Sequence, residues 1–389
     1  MTSEERREAR FQRRRAKRAA ARAARYGSAD SFDKTFSYES LYNSYRKCRR
    51  NVSWKASVQK YIVQAPLNVY KTYDRLQRGV YRSPEFFEFD IYERGKKRHI
   101  KSTVIGERIV QRALCDNTLV PVFFGSMIYD CGACMEGKGY TFAINRMDAH
   151  LQKYIRKHGT DGYILRGDLK SFFDSIVHTV VYKMLRDKLN DERIIAITED
   201  LIRMFDPNKP LEQRRGLGLG SQISQVLAPA VANSVDHYIK EVLRAKYYGR
   251  YMDDFYIISD SKEELRRFKE LIAGECEKVG LVLHPNKTQI IKLRHGFTWL
   301  KVRYNITETG KIIHRIHPSS VTRERRKLKK LAVKYHSGKM SFKQVYNSWQ
   351  SWDSHARRFQ SYKTRQSIEL LFARLFVGGG AANAILQSH

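Results

Sequence analysis

Across its 389 residues the sequence has no run of about 18 consecutive apolar residues, the length a membrane-crossing helix needs. That excludes a transmembrane helix, and no membrane partner is expected. Cysteine is scarce too: Cys48, Cys115, Cys131, Cys134 and Cys276 make an odd set with no secretory signal ahead of them. A reducing, cytoplasmic setting without disulfides is therefore expected. Cys131-Gly132-Ala133-Cys134 has the spacing of zinc ligands, but no second cysteine pair or nearby histidine completes a set of four. Acidic residues are in short supply, with 40 Asp and Glu against 73 Lys and Arg, a net charge of +33. A field of that size calls for a polyanion. Nucleic acid fits better than a lipid surface, because 23 Tyr and 19 Phe are interleaved with the cations and supply stacking platforms.

The length predicts a body of two or three lobes rather than a small stapled scaffold. Residues 1–30 read as a basic arm around Arg13, Arg14 and Arg15 that orders on a phosphate backbone. The run Arg94-Gly95-Lys96-Lys97-Arg98-His99-Ile100-Lys101 reads as a cationic hairpin suited to a triphosphate, with a solvated charged loop as the equal alternative. From Tyr163 onward short apolar strands alternate with helices, the pattern of an α+β core. The spacing predicts a helix from Gln222 to Lys246, bent at Pro229, leading into a hairpin. Beyond Pro318 the pattern is helical to Phe376, with Val321, Leu328, Leu331, Ala332 and Tyr335 on one face. Arg323, Arg326 and Lys330 lie elsewhere on that helix, facing phosphate.

Tyr251-Met252-Asp253-Asp254 puts two adjacent carboxylates between the runs Ala245–Tyr248 and Phe255–Ile258. Neighbouring aspartates repel, so their place at a hairpin tip points to a divalent metal, with an acidic turn as the competing reading. In-line nucleotidyl transfer uses two Mg²⁺ ions about 4 Å apart, bridged by carboxylates. A third aspartate is then needed at the end of a neighbouring strand. Asp168, closing the apolar run Tyr163-Ile164-Leu165-Arg166-Gly167, stands in that position.

Asp168-Leu169-Lys170-Ser171-Phe172-Phe173-Asp174 together with Tyr251-Met252-Asp253-Asp254 resembles motifs A and C of reverse transcriptases. The resemblance implies that Asp168, Asp253 and Asp254, with the carbonyl of Leu169, hold two Mg²⁺ ions. Phe173 falls at the family's steric gate, which would exclude a 2′-hydroxyl and make DNA the product. RNA-dependent RNA polymerases, the nearest alternative, usually carry a polar acid there and Gly-Asp-Asp in the hairpin. Gly216-Leu217-Gly218-Leu219-Gly220-Ser221-Gln222-Ile223-Ser224-Gln225 resembles motif B, which implies nucleotide contacts at Leu219, Gly220, Ser224 and Gln225. Leu219 and Gln225 depart from the family's usual Gln and Pro, and in this they resemble reverse transcriptases of diversity-generating retroelements and antiphage-defence systems. Leu283-His284-Pro285-Asn286-Lys287-Thr288 resembles motif D, with Lys287 approaching the triphosphate. Phe297, Trp299 and Leu300 fall in a likeness of the primer grip, and Arg98 and Lys101 fall where finger cations meet phosphates.

The resemblance covers roughly residues 90 to 375 and implies a right-hand polymerase fold. Its parts would be a basic arm (1–30), fingers with an N-terminal RNA-binding region (31–160), a ferredoxin-like palm with motifs A to E (161–305), a helical thumb (306–376) and a flexible tail (377–389). On this resemblance no ribonuclease H, endonuclease, integrase or zinc-finger module is expected within these residues. The expected activity is RNA-directed DNA synthesis from dNTPs, copying a partner noncoding RNA into cDNA within a ribonucleoprotein. An accessory protein and a homo-oligomer stay open as partners. Two rival readings remain: template-independent polymerisation by the same site, and a non-catalytic RNA-binding scaffold.

Overall fold

The computed structural model describes residues 29–84, 86–93 and 95–377, with the single positions 6, 9, 13 and 20 ahead of them. Arg14, Arg15 and most of the basic arm lie outside the described residues, as does the tail from residue 378; Arg13 is exposed. Helices α1 (Tyr38–Cys48) and α2 (Ala65–Gln77) open the chain, α1 capped by the Ser37 hydroxyl, which accepts from the Ser40 N–H at 3.1 Å. The cationic run forms a hairpin of β1 (Phe87–Glu93) and β2 (Lys96–Ser102), registered with Phe89 opposite Ile100 and Ile91 opposite Arg98. Period-two alternation puts these four side chains on one face. Glu88, Asp90, His99 and Lys101 take the other, where the His99 ring meets Glu88 and Asp90 at 3.0 Å each.

After α3 (Ile105–Leu114) and α4 (Tyr140–His158), strand β3 (Tyr163–Asp168) begins the central unit. Past two helices at His178–Arg186 and Glu192–Arg203 come α5 (Gln222–His237), β4 (Tyr247–Tyr251), β5 (Asp254–Ser259), α6 (Lys262–Lys278) and β6 (Gln289–Lys292). The sheet is antiparallel throughout, in the order β4-β5-β3-β6, which is the ferredoxin-like arrangement of two βαβ halves. Both faces are covered. Leu165, Tyr248, Phe255 and Ile257 join the core shared with α3, α5 and α6, while Ile164, Tyr247, Tyr256 and Ile258 pack with α4.

The helix expected from Gln222 to Lys246 is shorter than its pattern. Pro229 sits inside α5, the chain relaxes into a π turn over Tyr238–Val242, and Arg244 at φ 56 breaks the run before β4. A second, three-stranded sheet follows: β7 (Phe297–Trp299), β8 (Val302–Ile306) and β9 (Ile312–Ile316). The helical pattern after Pro318 divides into α7 (Pro318–His336), α8 (Phe342–Ala356) and α9 (Tyr362–Phe376). Gly338 at φ 72 ends the first, and a capping box of Ser341 and Gln344 restarts the second. Leu328, Ala332, Val345, Trp352, Ile368 and Phe372 give these helices a core of their own. Among the described residues no helix is long and apolar enough to cross a membrane.

Candidate active site

β3 ends at Asp168, and its register with β5 places Asp168 opposite Asp254. Gly167 makes that pairing close: a Cβ there would run into the ring of Phe255, which lies across the strand. Beyond the sheet the backbone stays stitched, because the Leu169 N–H donates to the Asp253 carbonyl at 3.0 Å. Met252 and Asp253 form the two-residue tip between the paired Tyr251 and Asp254, with Met252 in the left-handed region at φ 55. Asp168 and the distant pair Asp253 and Asp254 thus meet at the ends of the two central strands. The segment after α6 closes the other side. His284 N–H donates to the Asp168 carbonyl at 2.7 Å, which brings the Lys287 ammonium onto both Asp168 oxygens at 2.9 and 3.0 Å.

Burial, then the neighbouring Asp253 and Asp168, push the Asp254 carboxyl up to about 7, against the lowering effect of Arg166 and Lys287. Asp253 is raised as well, first by burial and then by Asp168, with Lys287 and Arg98 pulling the other way. Protein cations therefore offset the acids only in part. Clustered carboxylate oxygens short of positive charge are the donor set a hard divalent ion such as Mg²⁺ takes. Among the described residues no three His, Cys, Asp or Glu side chains are already gathered as a metal cage. Here Asp168 is turned to Lys287 instead.

Around the acids, Phe173 is half-buried against Phe172, ring centroids 5.4 Å apart, and its carbonyl accepts from the Leu217 N–H at 2.8 Å. That bond joins the turn after Asp168 to the glycine-rich loop before α5. Ser224 is buried and donates to the Gly218 carbonyl at 2.8 Å, which closes the loop on the helix. Leu219 accepts from the Lys101 N–H at 3.2 Å, so β2 rests on the loop beside Gly220. Gln225 reaches the hairpin through Cys134, whose thiol lies 3.2 Å from Gln225 Oε1 and 3.8 Å from the Met252 sulfur.

The structure separates Arg98 from Lys101. Arg98 lies on the hairpin face whose charge acts on Asp253, while the Lys101 ammonium is on the opposite face, donating to the Phe205 carbonyl at 2.8 Å and pairing with Glu88 at 3.2 Å. Phe297 and Trp299 are buried, Trp299 packed edge-on against Tyr256 at 4.9 Å and lining the space beside Asp254. Leu300 and Lys301, both left-handed at φ 46 and 64, form the tip of β7 and β8. With Tyr140, Arg166 and Asp254 they line a cavity of about 460 Å³ beside the acids. Arg323, Arg326 and Lys330 are exposed on α7, one face apart from its buried Leu328.

Sequence reading passed over three groups that the fold brings to the site, Arg166, Lys301 and the buried pair Arg250 and Asp236, and weighed Cys134 only as a zinc ligand. Arg250 carried a usable signal. An arginine inside an apolar strand, three residues before Asp253, needs a buried acid; Glu241 is the nearer acid in sequence, and it is the packing of α5 that supplies Asp236 instead.

Residues 93–335 match the family described as reverse transcriptase (RNA-dependent DNA polymerase). Protein YkfC of Escherichia coli strain K12 is 24% identical over 247 residues, 53% of this chain and 62% of that protein. The structure of Candida albicans telomerase in complex with a TWJ fragment of telomeric RNA aligns with a TM-score of 0.46 at 11% identity, over 80% of this chain and 62% of that one. A Candida tropicalis apo telomerase truncated from its C-terminal domain aligns at 0.44 and 15% identity, over 59% and 55% of the two chains. The chain thus spans less than two thirds of the length of these relatives.

Proposed function

The chain belongs to the reverse transcriptase family, with its right-hand polymerase fold, and on that premise we propose that it is an RNA-directed DNA polymerase. Its template would be a partner noncoding RNA and its product cDNA, built from dNTPs. The observation that carries the reading is the register of β3 with β5, which sets Asp168 against Asp254 and ties Leu169 to Asp253. Asp168, Asp253 and Asp254, with the Leu169 carbonyl, would hold two Mg²⁺ ions. Bound there, the ions would supply a low-pKa 3′-hydroxyl and charge stabilisation on the reacting phosphate.

The chain's own residues would bind and orient. Phe173 would lie under the sugar and leave no room for a ribose 2′-hydroxyl. Arg98, on the hairpin face toward Asp253, would meet the triphosphate, and Leu219, Gly220, Ser224 and Gln225 would shape the floor under the base pair. Lys287, poised on Asp168, carries a proton within the site that a departing pyrophosphate could accept. Leu300 at the β7–β8 tip, backed by Phe297 and Trp299, would hold the primer end. In the same reading 31–160 serves as fingers and RNA-binding region, 161–305 as palm and 306–376 as thumb, where Arg323, Arg326 and Lys330 line the duplex backbone. Leu219 and Gln225 support a place in a diversity-generating or antiphage-defence system.

Primer extension on an RNA template tests the reaction. Asp253→Asn should abolish DNA synthesis while leaving the melting curve within about 1 kcal/mol of the parent. Unchanged synthesis in that variant would sink the assignment. Product formed equally without template RNA would replace it with template-independent addition.

A further inference from the structure

Directly behind the hairpin tip lies a buried ion pair. Arg250 is 2% exposed and Asp236 fully buried, and the arginine donates through Nε at 2.8 and 3.0 Å and through Nη2 at 2.6 Å to the Asp236 carboxylate. Burying two charges is costly even when they are paired, and apolar residues of similar size often stabilise a core as well. What an apolar pair could not do is reach the tip. Nη1 of Arg250 donates to the Met252 carbonyl at 3.0 Å, and Nη2 also donates to the Pro229 carbonyl at 3.2 Å.

Each end of this bracket is fixed. The Arg250 backbone is held by its N–H on the Asp130 carbonyl at 3.1 Å and by the Gly132 N–H on its own carbonyl at 2.9 Å. Asp236 takes a further bond from the Tyr248 hydroxyl. The guanidinium therefore links helix α5, edge strand β4 and the peptide that immediately precedes Asp253. Met252 is left-handed, a conformation that a non-glycine residue adopts only with outside support. Its carbonyl is where that support arrives. A lysine could pair with Asp236 but has no planar fork to bond Asp236, Pro229 and Met252 together.

We propose that Arg250, held by Asp236, is a positioning residue for Asp253. By pinning the Met252 carbonyl it fixes the strained turn and so restricts the orientation of the Asp253 carboxylate toward divalent cations. The ligand role of Asp253 rests on the polymerase reading above; the bracing of the turn rests on the hydrogen bonds.

The test uses the full chain with two readouts: Mn²⁺ binding followed by electron paramagnetic resonance, and steady-state primer extension. R250K keeps the buried positive charge and loses the Met252 bond. Y248F removes a bond from the same buried carboxylate without touching the tip. R250K should raise the Mn²⁺ dissociation constant and lower kcat by about 10- to 100-fold, the usual effect of losing a ligand's supporting bond. Its KM for dNTP should stay within about twofold, and Y248F should keep both constants near the parent whatever its melting point. Should R250K fail to fold, the double variant R250Q/D236N, which leaves no orphan charge, should show the same losses. Parental Mn²⁺ affinity and kcat in the folded arginine variant, or equal losses in Y248F, would overturn the proposal. If the parent makes no DNA but the Mn²⁺ differences persist, the polymerase reading fails and the bracing stands.

Discussion

Gly220 is the position where the cationic hairpin meets the loop before α5, and an added methyl group there should act on nucleotide binding rather than on global stability. Its φ is +105, and a Cβ would stand 3.2 Å from the Lys101 carbonyl oxygen and 3.3 Å from Ile100 Cγ2. Gly220→Ala therefore brings both backbone strain and a contact that β2 must yield to. Strain of this kind costs about 1–3 kcal/mol, and the least costly release is to lift the hairpin, which the Lys101 N–H bond to Leu219 ties down at this point. Taking about 2 kcal/mol, the ratio of docked to lifted hairpin falls roughly 30-fold. Arg98 rides on that hairpin, so KM for dNTP should rise about tenfold or more, with a smaller fall in kcat. Gly79→Ala is the matched control: φ is +68, nothing lies within 4 Å of the added group, and its strain is remote from the loop. Primer extension across a range of dNTP concentrations, with thermal melts of both variants, decides the matter. An unchanged KM in Gly220→Ala, or an equal rise in Gly79→Ala, refutes the reasoning.

Phe173→Ala should admit ribonucleotides, raising kcat/KM for rNTP relative to dNTP by about 100-fold; an unchanged ratio in single-nucleotide incorporation removes Phe173 from the gate. Replacing Arg323, Arg326 and Lys330 together by Ala should reduce the slope of log affinity for an RNA–DNA duplex against log salt by about 2.7. An unaltered slope in a salt titration would take those cations off the duplex. Asp353 supplies a pH dependence. Burial alone would raise its carboxyl, but bonds from Arg365 at 2.7 Å and Arg357 at 2.8 Å outweigh it and leave the group below its ordinary 3.8. A depressed folded value means stability that is present above 3.8 and lost as pH falls through the lower value. Asp353→Asn should then lower the melting point at pH 7 and lose that effect below about pH 3; an equal loss at both pH values contradicts the ion pairing.

The hairpin and β3 were legible because their chemistry is local. Apolar alternation fixes each strand, and an acid at a strand end is visible in one dimension. Asp168 and Asp253 are far apart in sequence, yet the requirement for a third carboxylate was enough to pair them. Lys101 was harder: its strand was readable, but the face it takes is set by the register with β1, which also gives Glu88 as its partner. Arg250 and Asp236 read as one more cation and one more acid until α5 packs on the sheet. The helix forecast to Lys246 stopped short because Arg244 adopts a left-handed conformation, a choice made by how α5 and β4 dock rather than by arginine's own preference. Trp299 is buried against Tyr256 one residue behind the tip and still lines the cavity beside Asp254, a placement that only the packing of the second sheet sets.

The cationic hairpin has one further consequence, for the handling of the protein. Phe87, Phe89 and Ile91 are exposed on it, and beyond the bond from Lys101 to Leu219 no strand among the described residues pairs with its outer edges. Exposed aromatics beside unpaired strand edges form a template for self-association, which the net charge of +33 opposes by repulsion between molecules. That repulsion is screened within about 3 Å at 1 M salt. Salt concentrated enough to strip bound nucleic acid from so basic a protein therefore removes its colloidal protection in the same step, and the nucleic-acid-free chain should associate at high salt and disperse again as the salt is withdrawn.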